Sequence, residues 1–216
     1  ISRAMTDPSG HPPRAELVTN IVVATAGIPF LLDAALASAR PYSAGPIAEA
    51  TTFALIDRLR RLAEPELDAL LIASLSRELG SADLAAALDI PADEARHLID
   101  RARATGLVEP AHSPHFLRSV HRAAAQILGN ARHHDIETAL LRSQIAMSTL
   151  STDLALRLAE HGVRDEQLAD VLRRQAVGGR TDPASAAALY RAAVDAGAVE
   201  LRAQLADSLA LAGECS

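Results

Sequence analysis

Apolar residues recur at helical spacing along most of this chain, and the clearest run lies between Glu66 and Pro110, ELDALLIASLSRELGSADLAAALDIPADEARHLIDRARATGLVEP. Leu67, Leu70, Leu71 and Leu75 fall at i, i+3, i+4 and i+8; Leu84, Ala85 and Leu88 repeat the spacing, as do Ala95, Leu98, Ile99 and Ala102. The pattern predicts three short helices, each with one apolar stripe. Gly80-Ser81 separates the first two and offers Ser81 as an N-cap, and Asp89-Ile90-Pro91 makes the next turn. Gly106 ends the third as a left-handed residue would. Leu107-Val108-Glu109, the turn-forming PAHSP and His115-Phe116 then predict two short strands.

Three helices followed by a two-stranded hairpin form a winged-helix domain, expected over residues 46–128. Before it, Arg14 to Ala26 and Phe30 to Ala39 carry helical patterns separated by Gly27-Ile28-Pro29, and Arg40 to Pro46 (RPYSAGP) is expected as a linker. Residues 1–45 are thus a short helical piece behind a polar, Pro/Gly-rich start. The helix from Pro46 carries Ile47, Phe53, Ile56 and Leu59. After the hairpin, helices are predicted over Leu117 to Leu128 and His133 to Met147, the latter with Ile136, Leu140, Leu141 and Ile145 inward. Ser151 to His161, Asp165 to Val177, Pro183 to Ala196 and Val199 to Ala212 follow, divided by Gly162, Gly178-Gly179 and Gly197. Serial helices of this length suggest an α-solenoid over residues 129–216. Asp182-Pro183 supplies an N-cap and a proline at the first helical position.

Composition reinforces the all-α expectation. Of the 216 residues 49% are hydrophobic but only 2% aromatic, which favours small side chains and close helix packing over strands. The net charge of −6 argues against the whole chain acting as a nucleic-acid clamp. Every basic residue is arginine. A phosphate-cradling P-loop needs a lysine ammonium, so no such loop, and no lysine Schiff-base chemistry, is expected here. One cysteine, Cys215, cannot form an internal disulfide, which fits a reducing, cytoplasmic setting. The longest apolar run, Ile21 to Leu32, is interrupted by Gly27 and Pro29 and falls short of the roughly 20 residues a bilayer requires. A first residue other than Met and an abrupt end after a helical pattern suggest a piece of a longer protein.

Three stretches in order resemble the signal-transducing ATPases with numerous domains (the STAND class), and within it the large ATP-binding LuxR-type transcriptional regulators. They are Gly27-Ile28-Pro29-Phe30-Leu31-Leu32, similar to the G-x-P element of that family's helical lid; the winged-helix pattern ending in Thr105-Gly106-Leu107-Val108-Glu109; and FLRSVHRAAAQIL from Phe116 to Leu128. Ala188 to Ala193 and Leu201 to Gly213 are similar to the start of a tetratricopeptide-like (TPR-like) array. The resemblance implies a nucleotide contact for Gly27 and Pro29. It also implies a nucleotide-monitoring position near Arg118 and His121, although Arg118 stands where the family usually has His. ATP or ADP would be held by the parent protein and not by this piece. Its partners would be the ATPase core and output DNA-binding domain of the parent, with an effector ligand or protein on the repeats.

Two rival readings stay open: a self-contained winged-helix DNA binder with a helical dimerisation tail, and a helical protein-interaction scaffold. In the first, Arg96, Arg101 and Arg103 would face DNA, yet the third helix balances them with Asp93, Glu94 and Asp100, a poor footprint for phosphates. His112, His115 and His121 lie within ten residues but match no familiar ligand spacing, so no metal is expected. His133-His134-Asp135 is expected simply to start a helix. No catalytic residue is expected.

Overall fold

The computed structural model describes residues 15–39, 44–178 and 182–213. The polar start (residues 1–13), most of the expected 40–46 linker and Cys215 lie outside the described residues. Twelve α-helices account for nearly all of the described chain, and no strand forms among these residues. They are α1 (Ala15–Thr25), α2 (Pro29–Ser38), α3 (Ala44–Leu59), α4 (Glu64–Leu75), α5 (Ser81–Leu88), α6 (Ala92–Ala104), α7 (Pro114–Leu128), α8 (Asn130–Ala146), α9 (Thr152–Glu160), α10 (Glu166–Gly178), α11 (Pro183–Asp195) and α12 (Arg202–Ala212). Helix α12 is entered through a 3-10 turn at Val199–Leu201.

The expected wing does not form. Leu107 and Val108 lie in a bend, and His115-Phe116 belong to the first turn of α7. The reason is local: Ser113 caps that helix by accepting the Phe116 N–H at 3.2 Å, and Pro114 occupies its first position. These helix-start signals sit where the second strand would have to begin. The Ser81 cap is corrected too, since Ser81 is the first residue inside α5. Gly106 does take the left-handed conformation, with φ 71°.

The chain divides into two compact units: residues through Ala82 together with Pro91–His133, and Asp83–Ile90 together with His134 onward. Most of α5 therefore groups with the second unit.

In the first unit α1, α2 and α3 pack on one another, with α7 against α1 and α3. Leu17, Ile21, Ala35, Ala39 and Ile47 form a small core there, flanked by Leu32 and Leu36. Phe53, expected among the packing residues of α3, is instead 72% exposed, and Thr51 and Leu55 turn inward. Helix α4 packs against both α6 and α7. It exceeds the single-stripe expectation, because Glu66 through Ile72, Ser74 and Leu75 are all buried. A helix enclosed on nearly every side has to neutralise its own polar residues. Glu66, Asp68 and Ser74 each do so through a partner named below.

In the second unit α9 packs on α10 and α11, and α11 packs in turn on α10 and α12. The expected cap holds: Asp182 accepts the Ser185 N–H at 3.0 Å and Pro183 opens α11. Within the same unit, Gln144 of α8 donates to Asp83 of α5 at 2.6 Å and accepts from Thr149 at 2.9 Å.

Candidate functional site

The buried polar groups of the first unit gather around α4. Near its start, the Glu66 carboxylate accepts the Ala63 N–H at 3.2 Å and pairs with the Arg101 guanidinium of α6. Two residues on, Asp68 pairs at 2.5 Å with Arg132 in the first turn of α8. Near its end, the Ser74 hydroxyl donates back to the Leu71 carbonyl at 2.8 Å, the usual way a helical serine satisfies itself. These three polar residues tie one helix to α6, to α8 and, through Ser74, to α7.

The α7 contact is a histidine. The Nδ1 of His121 lies 3.2 Å from both the Ser74 oxygen and the Leu71 carbonyl, and its Nε2 lies 3.1 Å from Nε2 of His133. The rings meet edge to face with centroids 5.1 Å apart. His121 is buried and His133 half-buried.

The tautomer of His121 follows from its neighbours. The Ser74 hydroxyl proton is committed to the Leu71 carbonyl, so both groups facing Nδ1 can only accept from it. Nδ1 therefore carries the proton, and the neutral ring turns a lone pair on Nε2 toward His133. Two features bring His133 there. Gly129, at φ 84° and ψ 158°, turns the chain sharply between α7 and α8, and the Asp68–Arg132 pair pins the first turn of α8 against α4.

His112 and His115 do not join this pair. His112 lies beneath the turn where the wing was expected: its Nε2–H donates to the Gly106 carbonyl at 2.7 Å, its ring packs edge-on against Phe116, and Arg77 donates to its carbonyl. His115 is exposed. Arg118 is exposed on α7, while His121 is enclosed. On α6, Arg96 pairs with Asp93 at 2.9 Å and Arg101 with Glu66. Two of the three candidate DNA-facing arginines thus already have carboxylate partners, and Arg103 is exposed.

The Gly27-Ile28-Pro29 turn is exposed at both Gly27 and Pro29. Thr25 builds it. Its hydroxyl donates to the Ile21 carbonyl at 2.7 Å and accepts the Gly27 N–H at 3.3 Å, and the Ile28 N–H returns to the Thr25 carbonyl at 2.9 Å. Gly27 at φ 77° then permits the reversal before Pro29 opens α2.

The second unit holds an open cleft of about 540 Å³ at the N-terminal end of α10, lined by Arg164, Asp165, Glu166, Asp170, Arg173 and Glu200 among others. Three of these charges have partners on one another or on the backbone. Asp165 caps α10 through the Gln167 and Leu168 N–H groups, and Asp170 takes Arg173 at 2.5 Å and Arg174 at 3.0 Å. The hydrogen bond from Arg173, with the charges of Arg174 and Arg173 behind it, holds the Asp170 carboxyl below its usual range despite some desolvation. Separately in this unit, the buried Glu137 accepts from Nδ1 of His161 at 2.6 Å.

Sequence reasoning missed the His121–His133 pair, which joins positions 12 residues apart through a corner that only Gly129 signalled. Comparison with protein-family models, with curated proteins and with solved structures finds no match to this chain. Among the described residues no helix is long and apolar enough to cross a membrane.

Proposed function

We propose that this chain is the regulatory relay of a cytoplasmic, nucleotide-dependent signal-transducing regulator of the STAND type, coupling nucleotide state to a helical sensor region. In this reading α1 and α2 are the end of a helical lid, α3 to α7 are a winged-helix domain whose wing is reduced to a turn, and α8 to α12 begin a TPR-like array. ATP or ADP would belong to the parent chain, with Gly27 and Pro29 beside it. An effector would engage the repeats and bias the nucleotide-dependent equilibrium through its unequal affinity for two states.

The observation that carries this reading is α4. It is enclosed on nearly all sides, and its buried carboxylates are tied to α6 through Arg101 and to α8 through Arg132. Such a helix cannot be displaced at one end without disturbing both partners, because packed interiors resist continuous deformation. The exposed Gly27–Pro29 turn supports the same reading by leaving the lid element accessible. The DNA-binding alternative draws less support, since Arg96 and Arg101 already face carboxylates.

The test is hydrogen exchange of the parent protein with ATP and with ADP. Protection of α4 and of the Gly27–Pro29 turn should differ between the two nucleotides, and Pro29→Ala should weaken nucleotide binding several-fold. Identical exchange in both states would overturn the relay. Sequence-selective DNA binding by residues 1–216 at low salt would favour the rival reading.

A further inference from the structure

We propose that His121 and His133 form a binding site for a first-row divalent transition ion, zinc being the best fit. The inference is independent of the relay reading, because it rests on side-chain geometry within the first unit alone. Imidazole nitrogen suits zinc, copper and nickel, and the ligating nitrogen must present a lone pair. At His121 the tautomer is fixed: Nδ1–H is held by the Leu71 carbonyl and the Ser74 oxygen, so Nε2, the atom facing His133, carries the lone pair of the neutral ring. A ring N–H anchored on a backbone carbonyl is the usual support of a metal-ligating histidine.

The second nitrogen lies where a shared ion needs it. A tetrahedral zinc with bonds of about 2.0–2.1 Å sets neighbouring ligand nitrogens roughly 3.3–3.4 Å apart. The two Nε2 atoms are 3.1 Å apart, within about 0.2–0.3 Å of that separation. The rings are inclined at 65°, edge to face, so neither stacks over the other's ligating edge.

The proton balance is simple. Without a metal, His133 Nε2–H donates to His121 Nε2. When the ion enters, neutral His133 shifts that proton to its own Nδ1, and both Nε2 atoms ligate with no net proton release. Arg132, the neighbour of His133, does not repel the cation strongly, because its charge is matched by Asp68 at 2.5 Å. His133 is only half-buried, which gives the ion a way in. Two imidazoles leave two positions of a tetrahedral ion for other oxygen or nitrogen ligands, such as water.

The test is calorimetric titration of the full chain, freed of any affinity tag, with Zn²⁺, repeated with Co²⁺ while visible absorption is followed. The expected result is one ion per chain, a tetrahedral cobalt spectrum, and an increase in melting temperature on metal addition. His133→Gln should lower affinity at least tenfold and abolish the cobalt band, and so should His121→Ala if it folds. His133→Gln carries the test if His121→Ala does not fold, since His133 is the less buried of the two. His97→Ala and His134→Ala, at exposed histidines, should leave binding unchanged. Wild-type affinity in His133→Gln, or no binding by the wild-type chain at micromolar metal, would overturn the site.

Discussion

Asp68 and Arg132 meet at 2.5 Å across 64 residues of sequence, with the carboxylate almost fully enclosed and the guanidinium about half open to solvent. The second carboxylate oxygen, Oδ1, has no hydrogen-bond partner among the described residues. An enclosed carboxylate in that state depends on its one cation, since removing the partner of a buried charge costs about 3–5 kcal/mol. Arg132 is wet on one side, so the loss should fall at or just below the bottom of that range. Arg132→Ala should therefore lower unfolding stability by about 2–3 kcal/mol. Asp68→Asn, which removes the charge, should cost less. Urea denaturation of the two variants and of the double variant measures the coupling, and additive losses would mean that the pair contributes nothing as a pair.

The corner at Gly129 gives a prediction of a different kind. A Cβ there would meet nothing within 4 Å, so any penalty is conformational and not steric. With φ 84° and ψ 158°, the residue sits in a region that is essentially glycine-only, outside the left-handed helical well that asparagine tolerates. Gly129→Ala should cost about 1–3 kcal/mol, and Gly129→Asn should be no better. Gly213, at φ 77° and ψ 15°, lies in the ordinary left-handed well, so Gly213→Asn should be nearly silent. Thermal melts of the three variants separate the cases, and rescue by asparagine at 129 would contradict the assigned geometry.

Much of the helical framework was legible because apolar spacing and helix-end residues act locally. Gly106, Asp182-Pro183 and the Gly27–Pro29 turn all mark ends that the structure keeps. What was not legible depended on tertiary surroundings. The stripe of Leu67, Leu70, Leu71 and Leu75 could not reveal that Glu66, Asp68 and Ser74 would be buried as well, because burial on the polar side is decided by α6, α7 and α8. Likewise Glu137 and Gln144 are buried on α8 where only Ile136, Leu140, Leu141 and Ile145 were expected to face inward. The wing failed at Ser113-Pro114, where helix-starting chemistry outweighs weak strand propensity in a run of two residues.

Besides the His112 N–H to Glu109 carbonyl bond at 3.0 Å, three side-chain contacts hold the turn that replaces the wing. His112 donates to the Gly106 carbonyl at 2.7 Å, its ring packs on Phe116, and Arg77 donates to the His112 carbonyl. Arg77→Ala should release the last of these without touching the ring contacts. A charged donor to a backbone carbonyl contributes about 1.5–3 kcal/mol when enclosed, and less here because Arg77 is exposed. Amide exchange over residues 107–113 should accelerate several-fold while α4 and α6 remain protected. Unchanged exchange in that segment would show that Arg77 does not hold the turn.

At strongly acid pH the start of α11 should loosen. Asp182 accepts from the Ser185 hydroxyl at 2.7 Å and from the Ser185 N–H at 3.0 Å. These two bonds, the hydroxyl first, hold its carboxyl below the ordinary 3.8, because hydrogen bonds to the charged form favour it. A carboxyl whose folded pKa is lowered contributes its full stabilisation above the unfolded value and loses it as pH falls through the folded one. The cap should thus be intact at pH 5 and weaken below about pH 4, where protonation removes the charge that the Ser185 donors stabilise. Following the Ser185 amide by NMR from pH 6 to pH 2 should show one titration step with a midpoint below 3.8. Asp182→Asn, which keeps a side-chain acceptor but does not titrate, should remove that step while leaving α11 formed. If the step persists in Asp182→Asn, another carboxylate governs this helix end.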